Sequence, residues 1–328
     1  MPISDMLASR LPPYKDLPLE PESGCKCTWG LFDKDGIKDE LGTINLLTPE
    51  TVAEAAKEIK TGRSISLDWG LEKVEKPFGN RKGLEHKFID WRTKPGFDFF
   101  CYDDEINVNT QAGSQWDGLR HWGHMKTGLY YNGTHHDDLL KTEHLGIDHL
   151  SKRGGIVGRG VLLDYYAWAE KNGKQLDQAS GYGITLPDLK AIAEDEGVTF
   201  KPGDVLIVRS GFVKWFEERP SVDIGKHLAG DGLLGVLGSD EFLEWLWNNH
   251  FSCVAGDGIG FEKWPPTPGF ALHDHLLSLW GMLIGEQWDL EALSDECRRQ
   301  NRWTFFLTSA PLNVKGGIAS PPNAIAVF

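Results

Sequence analysis

The chain has 328 residues, 40% hydrophobic and 25% charged, with a formal net charge of −14. That length and balance suit one large soluble domain with a sizeable core. The acidic excess argues against a polyphosphate or anionic-membrane partner, because either would need a basic face.

No stretch approaches the ~20 apolar residues of a membrane-spanning helix. The N-terminus "MPISDMLASRLPPYKDLP" lacks an apolar run of signal-peptide length, so a cytoplasmic location is expected. Five cysteines are present. Cys25 and Cys27 form one C-x-C pair, and Cys101, Cys253 and Cys297 are scattered, so no second pair completes a four-sulfur zinc site. Free thiols in a reducing compartment are expected.

In chain order, the first forty residues are loop-like and rich in Pro, Gly and Lys. "TPETVAEAAKEIKTG" (48–62) predicts a helix, with Thr48 as N-cap, Pro49 in the first turn and Gly62 as the stop. "RSISLDWGL" follows as a strand. "EINVN" (105–109) alternates like a strand, and "QAGSQWDG" after it predicts a loop. Buried strands are expected within "GIVGRGVLLDYY" (155–166), "GDVLIVRSGFV" (203–213) and "FSCVAGDGIGFE" (251–262). Helices are expected at "TLPDLKAIAEDEG" (185–197) and "SDEFLEWLWNNH" (239–250). "HDHLLSLW" predicts a further helix, followed by the strand-like "GMLIGE". The tail "TFFLTSAPLNVKGGIASPPNAIAVF" predicts a strand, a Gly-rich loop and a last strand. Strands alternating with helices make the fold α/β.

Two polar clusters carry chemistry. Gln111, Gln115, Asp117 and His121 fall in "NTQAGSQWDGLRHWGH" (109–124). In an extended chain, residues 115 and 117 point the same way. A carboxylate with amide oxygens is a hard donor set, suited to Mn²⁺, Mg²⁺ or Ca²⁺ better than to zinc. His273, Asp274, His275 and Glu286 form the second cluster, in "FALHDHLLSLWGMLIGEQWDLEAL" (270–293). The chain has 13 tryptophans. Trp116, Trp122, Trp280 and Trp288 lie beside these clusters, where they either wall a pocket or fill the core. His135, His136 and Asp137 in "NGTHHDD" either rim a pocket or form a solvated loop. Asp257, at a predicted strand end, is equally a site residue or a turn residue.

Together the clusters resemble the cyclase / kynurenine-formamidase-like family of metal-dependent hydrolases. Its signature H-x-G-T-H-x-D-x-P-x-H is met by Q-A-G-S-Q-W-D-G-L-R-H. Gly113, Asp117 and His121 match, Ser114 stands for Thr, Gln111 and Gln115 replace two histidines, and Leu119 replaces proline. The later ligand pair matches His273 and the "GMLIGE" strand ending at Glu286. "LGTINLLTPETVAEAAKEIKTGRSISLD", "GRGVLLDYYAW", "LKAIAEDEGVTFKPGDVLIVRSGF", "CVAGDGIGFE" and "APLNVKGGIASPPNAIA" follow the family's block order over most of the chain.

The resemblance implies a swivelling β/β/α domain, with a mixed or barrel-like sheet flanked by helices. It implies an N-terminal extension (1–40) packed on a cyclase-like domain (41–328), and a homo-oligomer, dimer or tetramer. It implies a hydrolase or cyclase acting on an amide, lactam or lactone bond of a small cyclic or aromatic molecule. Carried over, Gln111, Gln115, Asp117, His273 and Glu286 hold a divalent metal (Mn, Mg or Zn). Asp117 and His121 are catalytic, with His121 moving the proton, and Trp116, Trp122 and His124 touch substrate. The Gln-for-His exchanges leave two alternatives. One is a metal-free acid/base cyclase, dehydratase or isomerase in the same pocket. The other is a non-catalytic small-molecule-binding pseudoenzyme.

Overall fold

A computed structural model describes residues 9–219, 226, 230 and 232–328; the first eight residues of the loop-like N-terminal segment lie outside them. Nine strands form one sheet: β1 (Ser64–Ser66), β2 (Gln115–Asp117), β3 (Ile156–Leu163), β4 (Val205–Val208), β5 (Cys253–Gly256), β6 (Leu283–Glu286), β7 (Thr304–Ser309), β8 (Ala319–Ser320) and β9 (Ala324–Val327). Their spatial order is β1-β9-β7-β3-β4-β5-β6-β2-β8. β3, β4, β5 and β6 are mutually parallel, and every other pairing is antiparallel. The fold is thus mixed α/β, a large sheet flanked by helices.

The parallel centre explains the apolar runs. β4 (VLIV) and β5 (CVAG) are buried along their whole length, as strands covered on both faces must be. β7 is exposed enough on one side to alternate, with Phe305, Leu307 and Ser309 inward.

Helix boundaries follow capping chemistry. Thr185 caps Leu186–Asp195 in a reciprocal capping box with Asp188. Ser239 accepts from Phe242 N at the start of Asp240–Asn248. Thr48 accepts from Thr51 N as expected, but the α-helix covers only Pro49–Ala55, with one tighter turn to Glu58. Gly62 therefore lies beyond its end rather than at it. Strand β1 is likewise shorter than "RSISLDWGL", because only three residues find a partner, in β9.

One local reading changes, and two are refined. Gln115–Asp117 is a strand, not a loop: β6 and β8 pair with it on both sides. "EINVN" contributes to a separate exposed hairpin, Tyr102–Asn107 against Glu85–Asp90. "HDHLLSLW" winds as a π-helix over Asp274–Leu279, a form frequent at functional sites. Met282 N turns back to Leu276 O at 2.7 Å where it ends. The N-terminal segment reaches the same region: Thr28 N donates to Leu279 O at 3.0 Å. Trp280, Trp247 and Tyr14 pack together there.

The five cysteines are free thiols. Among the described residues, no helix is long and apolar enough to cross a membrane.

Candidate active site

Strand pairing assembles the site. Gln115 lies directly opposite Glu286, and Asp117 opposite Ile284 and Ala319. The period of two puts Gln115 and Asp117 on one face and turns Trp116 to the other. Trp116 is fully buried there, its ring edge-on to Trp288 at 4.8 Å and its Nε1 donating to Ser309 Oγ. Gly285 faces it because a Cβ at that position would come within 2.8 Å of the Trp288 indole.

His273 approaches Asp117 across 156 residues of sequence, its Nε2 standing 3.6 Å from Asp117 Oδ2 and 3.4 Å from Glu286 Oε1. Glu262 holds it there. That carboxylate accepts from Leu272 N (2.7 Å), His273 N (3.0 Å) and His273 Nδ1 (2.6 Å). An ionised carboxylate only accepts, so Nδ1 carries the proton and Nε2 turns toward Asp117. One ligand atom each from Asp117, His121 and His273 lies within 4.8 Å of the others.

The glutamines answer to the same rule. Gln111 Nε2 donates to Asp117 Oδ1 at 2.5 Å, and its oxygen accepts from Gln115 Nε2 at 2.7 Å. Gln115 Nε2 also reaches Glu286 Oε2 at 3.0 Å. Both amide nitrogens thus face carboxylates. The Gln111 oxygen is consumed within the pair, whereas Gln115 Oε1 and Asp117 Oδ2 are buried acceptors without a hydrogen-bond partner among the described residues. Two unpaired buried acceptors beside two imidazoles are costly without a bound partner. A cation satisfies it, so the donor set fits a divalent metal.

The charges act on one another. Burial pushes the Asp117 carboxyl up, but the charges of His121 and His273 and the bond from Gln111 outweigh it and hold it below the usual range. Burial also pushes Glu286 up, helped by the Asp117 charge, to about 7. His121 is depressed by burial despite Asp117. His273 is lifted well above the ordinary histidine range, because the carboxylates of Asp117, Glu262 and Glu286 around its ring override burial.

A cavity of about 220 Å³ opens on this cluster, lined in part by Gln111, His121, Trp122, Glu262, His273 and Glu286. Trp122 walls it, 4.9 Å from the His273 ring. Its Nε1 is anchored on Asp274 Oδ1 at 2.7 Å.

The structure brings together Gln111, Gln115, Asp117, His121, His273 and Glu286, and puts Trp122 on the wall. It leaves two of the residues expected to touch substrate outside the cavity lining. Trp116 is held in the core by the strand's alternation. His124 is buried against Thr127, 3.9 Å from Asp274. His275 bonds to Gly269 O and packs on Trp280. His135, His136 and Asp137 are exposed, away from that cavity. Asp257 is a turn residue: its oxygens accept from Ser210 N, Ser210 Oγ and Gly211 N.

Sequence reasoning missed Glu262, whose only signal was a glutamate ending "GDGIGFE". It also missed Phe78, Arg81, Leu233, Ile259 and Trp264, which line the cavity from distant segments.

The model of the Cyclase family matches residues 64–263. The chain belongs to the Cyclase family. The crystal structure of a novel cyclase aligns at TM-score 0.78 and 30% identity, over 92% of this cyclase-family chain and 99% of that one. Isatin hydrolase A from Labrenzia aggregata, bound to benzyl benzoate, aligns at TM-score 0.56 and 18% identity, over 80% and 93% of the two chains. An isatin hydrolase bound to the product analogue thioisatinate aligns at TM-score 0.56 and 15% identity, over 83% and 94%. These two show the shared fold. No curated protein sequence matches.

Proposed function

We propose that this cyclase-family protein is a divalent-metal-assisted hydrolase or cyclase acting on the amide, lactam or lactone bond of a small aromatic molecule. The observation that carries the reading is the buried, unpartnered Asp117 Oδ2, with His121 and His273 presenting nitrogen beside it. Asp117, His273, Glu286 and Gln115 Oε1 are the residues that would hold the cation. Two imidazoles and two carboxylates are in reach, so Zn²⁺ and Mn²⁺ both suit the set. Such a cation, when bound, acidifies a water and polarises a carbonyl.

The chain's own residues do the rest. His121 faces the cavity with its ring biased toward the neutral form, ready to accept a proton. Gln111 steadies Asp117 through its amide N–H. Glu262 holds the His273 ring by its Nδ1–H and aims Nε2 at Asp117. Trp122 gives an aromatic ring an apolar wall. A cavity of roughly 150 Å³ is enough for benzene, so the space here suits one or two fused rings.

The isatin hydrolases share the fold, which makes isatin the first compound to try. Turnover of isatin or a related cyclic amide that is lost on chelation and restored by Mn²⁺ or Zn²⁺ supports the reading. Turnover that persists through exhaustive chelation contradicts it. The hydrogen bonds donated by the Gln111 and Gln115 amides, which already tie Asp117 to Glu286, favour a second reading in that case: metal-free acid/base chemistry through His121 and Glu286.

A further inference from the structure

Arg81 enters the cavity from outside the sheet, after the turn Phe78–Asn80, which bends through Gly79 (φ +73°) and Asn80 (φ +55°). Its guanidinium carbon lies 5.9 Å from the centre of the Phe78 ring. It has no hydrogen bond or ion pair to any described residue, unlike the other charged groups of the wall. Glu262 is filled by His273 and two backbone N–H groups. Glu286 is filled by Gln115, Phe261 N and His273. The neighbouring Lys82 is paired with Glu85 at 2.7 Å. In a chain of net charge −14, a half-buried guanidinium that lines a cavity and is paired with none of its carboxylates is conspicuous.

The geometry points to an aromatic carboxylate as the ligand of this cavity, its ring against Trp122 and Phe78 and its carboxylate on the Arg81 fork. The inference rests on the hydrolase reading for the origin of that anion. Water adds to the ring carbonyl and the C–N bond breaks. The nitrogen takes a proton, and the acyl carbon leaves as a carboxylate with release of a proton to solvent. Hydrolysis therefore turns a neutral ligand into the anion that a bidentate guanidinium binds best. Arg81 then favours the ring-opened form at equilibrium.

The test compares 2-aminobenzoate with its neutral isostere 2-aminobenzamide, by fluorescence titration of the protein as purified and after chelation. The acid is expected to bind at least tenfold more tightly than the amide, before and after chelation. Arg81→Gln should abolish that gap while leaving the amide's Kd unchanged, which also shows an intact pocket. Arg81→Lys, keeping the charge without the fork, should retain part of it. Equal affinities in the unaltered protein, no binding of the acid, or a full gap in Arg81→Gln would overturn the assignment. A gap that disappears on chelation alone would also overturn it, since the anion would then sit on the metal. Turnover of a cyclic amide without an acid preference sinks this inference and spares the hydrolase reading. An acid preference with no turnover does the reverse.

Discussion

At the residue scale, the site turns on one carboxylate. Asp117 is fully buried, with one oxygen saturated by glutamine N–H groups and the other facing His273. Asp117→Asn keeps an acceptor for Gln111 and removes the charge. Turnover should fall by about 10²-fold or more, the scale of a lost acid/base or metal-anchoring group, with little change in the thermal midpoint. Near-normal rates in a folded Asp117→Asn protein would remove Asp117 from the chemistry. Gln111 and Gln115 are the second residue-scale case. Their place in the motif was legible; their orientation was not. Which amide end faces a carboxylate depends on Glu286, 171 residues from Gln115, and no local pattern encodes it. Gln111→His with Gln115→His should raise zinc affinity, by restoring imidazole donors beside Asp117. Isothermal titration with Zn²⁺ checks this, and an unchanged Kd would mean that these positions do not reach the cation.

At the element scale, strands with continuous apolar runs and helices with polar caps could be read from the residues themselves, since their causes are local. Thr185 with Asp188, and Ser239, are such cases. Strand β2 could not, because its three residues, Gln115–Asp117, are too few to show a period of their own. It is a strand only because β6 and β8 pair with it. The π-helix is similar: the winding that delivers His273 depends on Glu262 from another segment capping Leu272 N and His273 N. Asp257 shows the same dependence in reverse. It looks like a site residue at a strand end, yet its oxygens hold the turn that leads from β4 into the helix Phe212–Glu217. Asp257→Ala would leave buried donors unpaired, at ~1–3 kcal/mol each. Urea unfolding should show a lower midpoint, and an unchanged midpoint would contradict the structural role. The fold's block order was legible because it is a sum of such elements; the cavity wall of Phe78, Arg81, Leu233 and Trp264 was not, since it gathers from separate loops.

At the scale of the whole molecule, buried ionisable groups couple stability to pH. Glu196 sits at the end of the helix Leu186–Asp195, largely buried. Burial pushes its carboxyl up to about 9; the hydrogen bond from Asp164 N opposes this, and the Asp164 and Asp195 charges add to it. The folded chain therefore binds a proton that the unfolded chain releases near pH 4.5. The sign follows: this stabilising contribution is complete below pH 4.5 and is lost as pH rises toward 9. Glu196→Gln, which mimics the protonated form, should flatten the fall in unfolding free energy between pH 5 and 9 by about one proton's worth of slope, ~1.4 kcal/mol per pH unit at most. Denaturant unfolding at a series of pH values reads this, and identical pH slopes in the two proteins would show that Glu196 is ionised in the fold.

The central claim is that Asp117 anchors a divalent cation with His273, Glu286 and Gln115, beside the His121 base. Metal analysis of the protein purified without chelator or added metal, beside Asp117→Asn prepared identically, tests it most directly. The account predicts close to one divalent ion per chain in the unaltered protein and a large loss in the variant. Equal metal content in the two, or a metal-free unaltered protein that turns over a cyclic amide at full rate, would contradict it.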